Sequence, residues 1–121
     1  MLRLRLSDTA RSDIAGILTW THAQFGEPAR LRYEQLIVTA LRDVATQPDR
    51  PGSIPRPELG AGIRSWHLRL SRERAAQGTG VVRRPRHFIV YRPEPGLLVV
   101  GRVLHDAMEL ASNLSILAVW E

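Results

Sequence analysis

The residues best suited to chemistry stand in the stretch VVGRVLHDAMEL, residues 99–110, where an apolar run carries Arg102 inward and then gives way to His105 and Asp106. Histidine is the side chain that moves protons near neutral pH, so the pair reads either as a catalytic dyad or as the end of a strand. A general acid or base needs a second titratable or cationic group within hydrogen-bond reach. The local sequence offers little of that kind: Asp106 precedes Glu109 by the three-residue spacing of a helix cap and its acidic partner. Asp106 is therefore expected to cap a short helix with Ala107, Met108, Ala111 and Leu114 on its apolar side. His105 would be the last residue of the strand, acting in structure or recognition. Any partner in proton transfer would have to come from the adjacent strand, as His87 or Arg92.

All seventeen basic residues are arginine, and with twelve acids they leave a net charge of +5. Such a surplus favours an anionic partner, either nucleic acid or an acidic protein. Arg92 and Arg102 lie amid apolar neighbours, where an unpaired charge is costly, so each should find a carboxylate or emerge at an edge. Guanidinium geometry suits the carboxylates of an acidic partner as well as internal ones. Arg72, Arg74, Arg83 and Arg84 read as a solvated loop. The absence of cysteine excludes disulfides and thiolate chemistry, and four scattered histidines at 22, 67, 87 and 105 indicate no metal site and no cofactor.

A chain of 121 residues fits one domain, here residues 1–121, able to bury roughly two thirds of its unfolded surface. No apolar run approaches the roughly 20 residues of a membrane span, and MLRLRLSDTA lacks the apolar block of a signal peptide, so a soluble, cytoplasmic protein is expected. Leu2, Leu4 and Leu6 alternate with arginines as in a half-buried strand. Ala10, Ile14, Ile17, Leu18, Thr21 and Phe25 recur at helical spacing over about residues 8–25, up to Gly26. Pro28 suits a first helical turn, and Tyr33, Leu36, Ile37, Ala40, Leu41 and Val44 form a second stripe ending by Pro48. A joint of two or three residues makes the pair an antiparallel helical hairpin.

Residues 48–62 hold four prolines and three glycines and read as a loop. Trp66, Leu68 and Leu70 then alternate with polar residues, predicting a strand. Two further strands, over residues 86–92 and 97–104, are joined by PEPG at 93–96 as a hairpin. The arginine-rich residues 71–85 form an enlarged loop, and residues 111–121 an apolar tail that includes Trp120. Trp20 and Trp66 are expected in or near the core. The fold class is α+β, in the order β-α-α-β-β-β: an N-terminal strand, a helical hairpin, a three-stranded antiparallel sheet and a short C-terminal helix.

Three segments in this order, RPELGAGIRSWHLRL (56–70), RRPRHFIVYR (83–92) and VGRVLHDAMEL (100–110), resemble the ParE branch of the ParE/RelE toxin superfamily. The similarity spans about residues 2–112. The resemblance implies a RelE/ParE-like fold and a toxin of a type II toxin-antitoxin module. It also implies a ParD-like antitoxin whose C-terminal segment wraps the toxin in a hetero-oligomer, and DNA gyrase as target, with DNA met only indirectly. On that footing Arg92, Arg102, His105 and Met108 are the candidate antitoxin- or target-binding residues. RelE-like members instead cut mRNA on the ribosome, which needs a base, an acid and cations for the phosphate. Arg86, Arg92, Arg102 and His105 would serve that reaction. No aromatic acid or base follows His105, however, because Asp106, Ala107 and Met108 take those places and Trp120 cannot transfer a proton. The resemblance therefore favours a non-enzymatic gyrase inhibitor over a ribosome-dependent endoribonuclease. A plain basic nucleic-acid-binding module would explain the charge but not the ordered segments.

Overall fold

The computed structural model describes residues 1–76 and 80–107. The chain opens with strand β1 (Arg3–Leu6), which Ser7 ends while starting helix α1 (Asp8–Phe25). The Ser7 hydroxyl oxygen accepts the Ala10 N–H at 2.9 Å, satisfying an amide that the first helical turn leaves without a partner. Helix α2 (Glu27–Thr46) folds back against α1. The joint is shorter than the sequence predicts, since Gly26 alone makes it. Its φ of +88° is strained for any residue with a Cβ, and its N–H goes to the His22 carbonyl at 2.9 Å. The predicted α2 stripe from Tyr33 to Val44 is buried throughout.

The α1 stripe is buried only in part. Ala10 and Thr21 are covered and Ile14, Ile17 and Leu18 pack against the core, but Trp20 is 56% exposed and Phe25 67%. Trp20 is thus not a core residue, and Phe25 carries the stripe into a turn that meets an open groove instead of the sheet.

Five strands form one sheet, not four: β2 (Ile54–Pro55), β3 (Arg64–His67), β4 (His87–Glu94) and β5 (Leu97–His105) join β1 in the order β1-β5-β4-β3-β2. β1 runs parallel to β5, and the other pairs are antiparallel. Where β1 stops, α1 takes over the edge of β5. The Ser7 hydroxyl donates to the Gly101 carbonyl at 2.7 Å, and Asp13 accepts the Val103 N–H at 3.0 Å. The β4–β5 hairpin turns on Pro95 and Gly96 only, so both strands reach further into PEPG than predicted.

Leu68 and Leu70 leave the predicted strand. The chain tightens into a 3-10 turn (Leu68–Ser71), opened by His67 Nδ1 accepting the Arg69 N–H, and then into the short helix α3 (Arg72–Ala75). Leu68 is fully buried from that turn, so its apolar spacing imitates a strand. Trp66 is buried as expected, and Ile89, Tyr91, Leu98 and Val100 meet the helical hairpin on the same sheet face. The alternate residues Phe88, Val90 and Leu104 face the other way and pack with Leu59 and Ile63. Residues 48–62 are therefore more than a connection: they supply β2, a 3-10 turn (Pro57–Leu59) and the cover for the back of the sheet.

Among the described residues no helix is long and apolar enough to cross a membrane. Met108, Trp120, the helix expected after Asp106 and the tail at 111–121 lie outside the described residues.

Candidate functional site

A half-open groove of about 1110 Å³ runs between the helical hairpin and residues 80–86. Ile17, Trp20 and Thr21 of α1 and Phe25 at its last turn form one wall, with the Trp20 and Phe25 rings edge to face at 5.8 Å. Val81 and Val82 stand opposite, Arg32, Arg83, Arg84 and Arg86 line the same space, and Tyr33, His87 and His105 close one end. No described lining residue is a carboxylate.

The closed end is built by strand register. A bulge between Val90/Tyr91 and the facing strand leaves Gly101 without an opposite number, so that His87 faces His105. Without that extra residue His105 would point to the other side of the sheet. The two rings meet edge to face at 5.2 Å. Tyr33, reaching across from α2, accepts the Arg86 N–H at 3.1 Å and shares a hydrogen bond with His87 Nδ1 at 2.6 Å. Burial, together with the nearby His105, lowers the His87 pKa to about 4, and burial raises that of Tyr33 to about 12. Near neutral pH both are uncharged.

Asp106 ties the cluster to β3 and to Arg86. Its carboxylate lies 3.0 Å from His67 Nε2, 3.1 Å from Arg86 and 3.7 Å from His105 Nδ1. Because His67 Nδ1 is occupied by the Arg69 N–H, its proton sits at Nε2 and is donated to Asp106. Desolvation would push the Asp106 carboxyl up, but the His67 hydrogen bond and the Arg86 charge outweigh it and hold it below its ordinary value. His67 is lowered by desolvation, which exceeds the pull of Asp106. No group of three or more histidine or carboxylate side chains among the described residues is placed to hold a metal.

Of the residues singled out in the sequence, Arg86 and His105 meet at this groove. Arg92 and Arg102 do not line it. Arg102 is engaged by Asp13 at 2.8 Å and 3.2 Å, and Arg92 lies 3.4 Å from Glu94 near the opposite end of the hairpin. Each thus has a carboxylate of its own chain. Sequence reasoning missed Tyr33, which reads as one more core residue of α2, and Trp20 and Phe25, which read as buried. The signal for His87 was present, since it and His105 stand at the outer ends of two strands joined by a hairpin.

The groove and its cationic end belong to a helical hairpin packed on a five-stranded sheet. The chain is similar to the solved chromosomal ParDE TA system from P. aeruginosa, with a TM-score of 0.61 and 16% identity over 87% of this chain and 96% of that one. It is also similar to the toxin-antitoxin complex RelBE2 from Mycobacterium tuberculosis, with a TM-score of 0.52 and 23% identity over 86% and 96%. No curated protein matches it. The family model for the ParE toxin of the type II toxin-antitoxin system, parDE, matches residues 4–110, and the chain belongs to that family. It is a type II toxin of the ParE/RelE superfamily.

Proposed function

We propose that this single-domain chain is a cytoplasmic toxin held by a ParD-like antitoxin, and that once freed it inhibits DNA gyrase by binding. Family membership over residues 4–110 carries this reading. The groove supports it: apolar walls with arginines and no described carboxylate suit an apolar segment that brings carboxylates with it. The face favoured for that segment moves from Arg92 and Arg102, which already lie beside acids of their own chain, to Trp20, Arg32 and Arg83–Arg86. Substituting Arg32→Gln together with Trp20→Ala should weaken antitoxin binding at least about tenfold by titration calorimetry, since buried aromatic and arginine contacts dominate such interfaces. Unchanged affinity in a folded variant would remove the groove from the reading.

The facing of His87 and His105 favours one second reading, ribosome-dependent RNA cleavage with Arg86 as phosphate ligand. Against it, Tyr33 occupies Nδ1 of His87, and burial makes His87 a weak base and Tyr33 a weak acid. Arg92 and Arg102 stand apart from the pair. The deciding experiment adds antitoxin-free toxin to gyrase supercoiling reactions and to translating ribosomes. Blocked supercoiling with intact mRNA is expected, whereas cleavage at defined codon positions with normal supercoiling would replace gyrase inhibition with the nuclease reading.

A further inference from the structure

We propose that the sheet face turned away from the helical hairpin carries a docking surface for the sugar-phosphate backbone of a nucleic-acid duplex, built on Arg3, Arg5 and Arg92. The inference is independent of the groove reading, because it concerns the opposite side of the sheet. Leu2 and Leu6 pack toward the hairpin core, so alternation along β1 turns Arg3 and Arg5 the other way. Register then sets their neighbours. Arg3 stands beside Leu97 and Arg5 beside Val99 on β5, and Val99 in turn faces Arg92 on β4. Since Leu98 and Val100 belong to the hairpin core, Leu97 and Val99 share the face of the arginines. Arg3 and Arg5 are thus about 6.6 Å apart along β1, and two strand spacings, about 9.5 Å, separate the backbones of Arg5 and Arg92.

The cover supplied by residues 48–62 stops short of this patch. Leu59 and Ile63 pack with Phe88, Val90 and Leu104, and the Arg92 stem marks their rim, with its Cγ 3.7 Å from where a Cβ on Gly62 would stand. Arg3 and Arg5 are exposed, and no acid among the described residues pairs with either. Register places Glu94 beside Leu97, 3.4 Å from Arg92, so three cations share the face with one carboxylate. The choice between an acidic protein and a nucleic acid turns on what lies between the charges. Protein interfaces draw most of their affinity from buried aromatic and arginine anchors set in apolar pockets. Here Val99 is already buried, and none of residues 3–6 or 92–99 is aromatic. Without aromatic rings the face also lacks the platform on which unpaired bases stack. It offers cations at fixed spacing, and guanidinium meets phosphate through two parallel hydrogen bonds. Neutralising phosphates in this way supplies duplex binding that is blind to sequence.

The test is fluorescence anisotropy of two labelled DNA duplexes of unrelated sequence, each about 20 base pairs long, titrated with the antitoxin-free full chain at about 50 mM salt. Both duplexes should bind alike, and log K should fall with log salt at a slope of about −2.7, the value for three phosphate contacts. Arg3→Gln with Arg5→Gln, two exposed sites whose melting temperature should not move, is expected to cost at least about tenfold in affinity and to bring the slope to about −1. Arg3→Lys with Arg5→Lys keeps the charge and should keep most of the binding. Arg83→Gln with Arg84→Gln removes the same charge from the groove side and should stay within about threefold of the parent chain. Absence of duplex binding by the parent chain, affinity unmoved by Arg3→Gln with Arg5→Gln, or an equal loss in the charge-matched pair would overturn the proposal. Polyglutamate bound as tightly as the duplex, with the same dependence on Arg3 and Arg5, would assign the face to an acidic protein instead.

Discussion

Asp43 and Asp106 are both held by arginine and a neutral hydrogen-bond donor, yet their surroundings differ in almost every other respect. Asp43, near the end of α2, is 8% exposed. The Ser71 hydroxyl donates to it and Arg74 reaches it through Nε and Nη2 at 2.8–3.1 Å. Arg50 binds the Asp43 backbone carbonyl at 2.8 Å and lies 5.5 Å from the Trp66 ring, whose N–H donates to Ser71. Ser71 and Arg50 are themselves engaged, and Arg74, half exposed, also donates to the Leu70 carbonyl, so α2, the loop after it and the 3-10 turn are locked together. Asp106 sits at the free end of β5, and its partners Arg86 and His105 stay open to solvent on their far sides. One carboxylate closes a network and the other leaves it able to accept something more. That distinction separates residues that hold this fold from residues available to a partner.

The contrast breaks most visibly at Asp43. Asp43→Ala leaves the buried Ser71 hydroxyl and the Arg74 guanidinium without their acceptor, while Arg50 keeps the backbone carbonyl, and urea unfolding should show a loss of about 2–3 kcal/mol. A loss below about 1 kcal/mol would erase the distinction. Acidification probes the other cluster. The folded pKa of His87 is about 4 against an ordinary 6.5, so the unfolded chain binds a proton that the folded chain refuses. Stability should therefore be complete above pH 6.5 and decline between there and pH 4, by about 1–2 kcal/mol after allowance for partial solvent exposure. Thermal melts of His87→Gln should lose that decline. The lowered Asp106 acts in a separate window: its contribution is present above its ordinary 3.8 and is lost as pH falls below it. The smallest effect is expected of Asp106→Asn. It should cost less than about 1 kcal/mol in urea, because its partners can turn to water. A loss as large as that of Asp43→Ala would make both clusters structural.

Much of this architecture is legible in the sequence because burial has a period. The α2 stripe, the alternation in β4 and β5 and the buried Trp66 follow from apolar spacing alone. Spacing is silent on what lies opposite. Trp20 and Phe25 obey helical spacing yet face an open groove, and Leu68 and Leu70 alternate within a 3-10 turn. Asp43 reads as an ordinary polar position until Ser71 and Arg74 are brought to it. The His87–His105 pairing depends on the single extra residue Gly101, a shift in register that no local pattern announces.

The parallel pairing of β1 with β5 has a consequence for synthesis. The α1–α2 and β4–β5 hairpins are local and can form as the chain lengthens, but the strand partner of β1 is β5, and the Ser7–Gly101 bond spans 94 positions. Non-local pairing is the slow, late part of assembly. A growing chain that has not yet reached Leu97 has no mate for its first strand, no partner for the Asp13 side of α1 and no His105 to close the groove. A nascent chain of this design therefore stays without the closed end of its groove until nearly all of the described residues have been made.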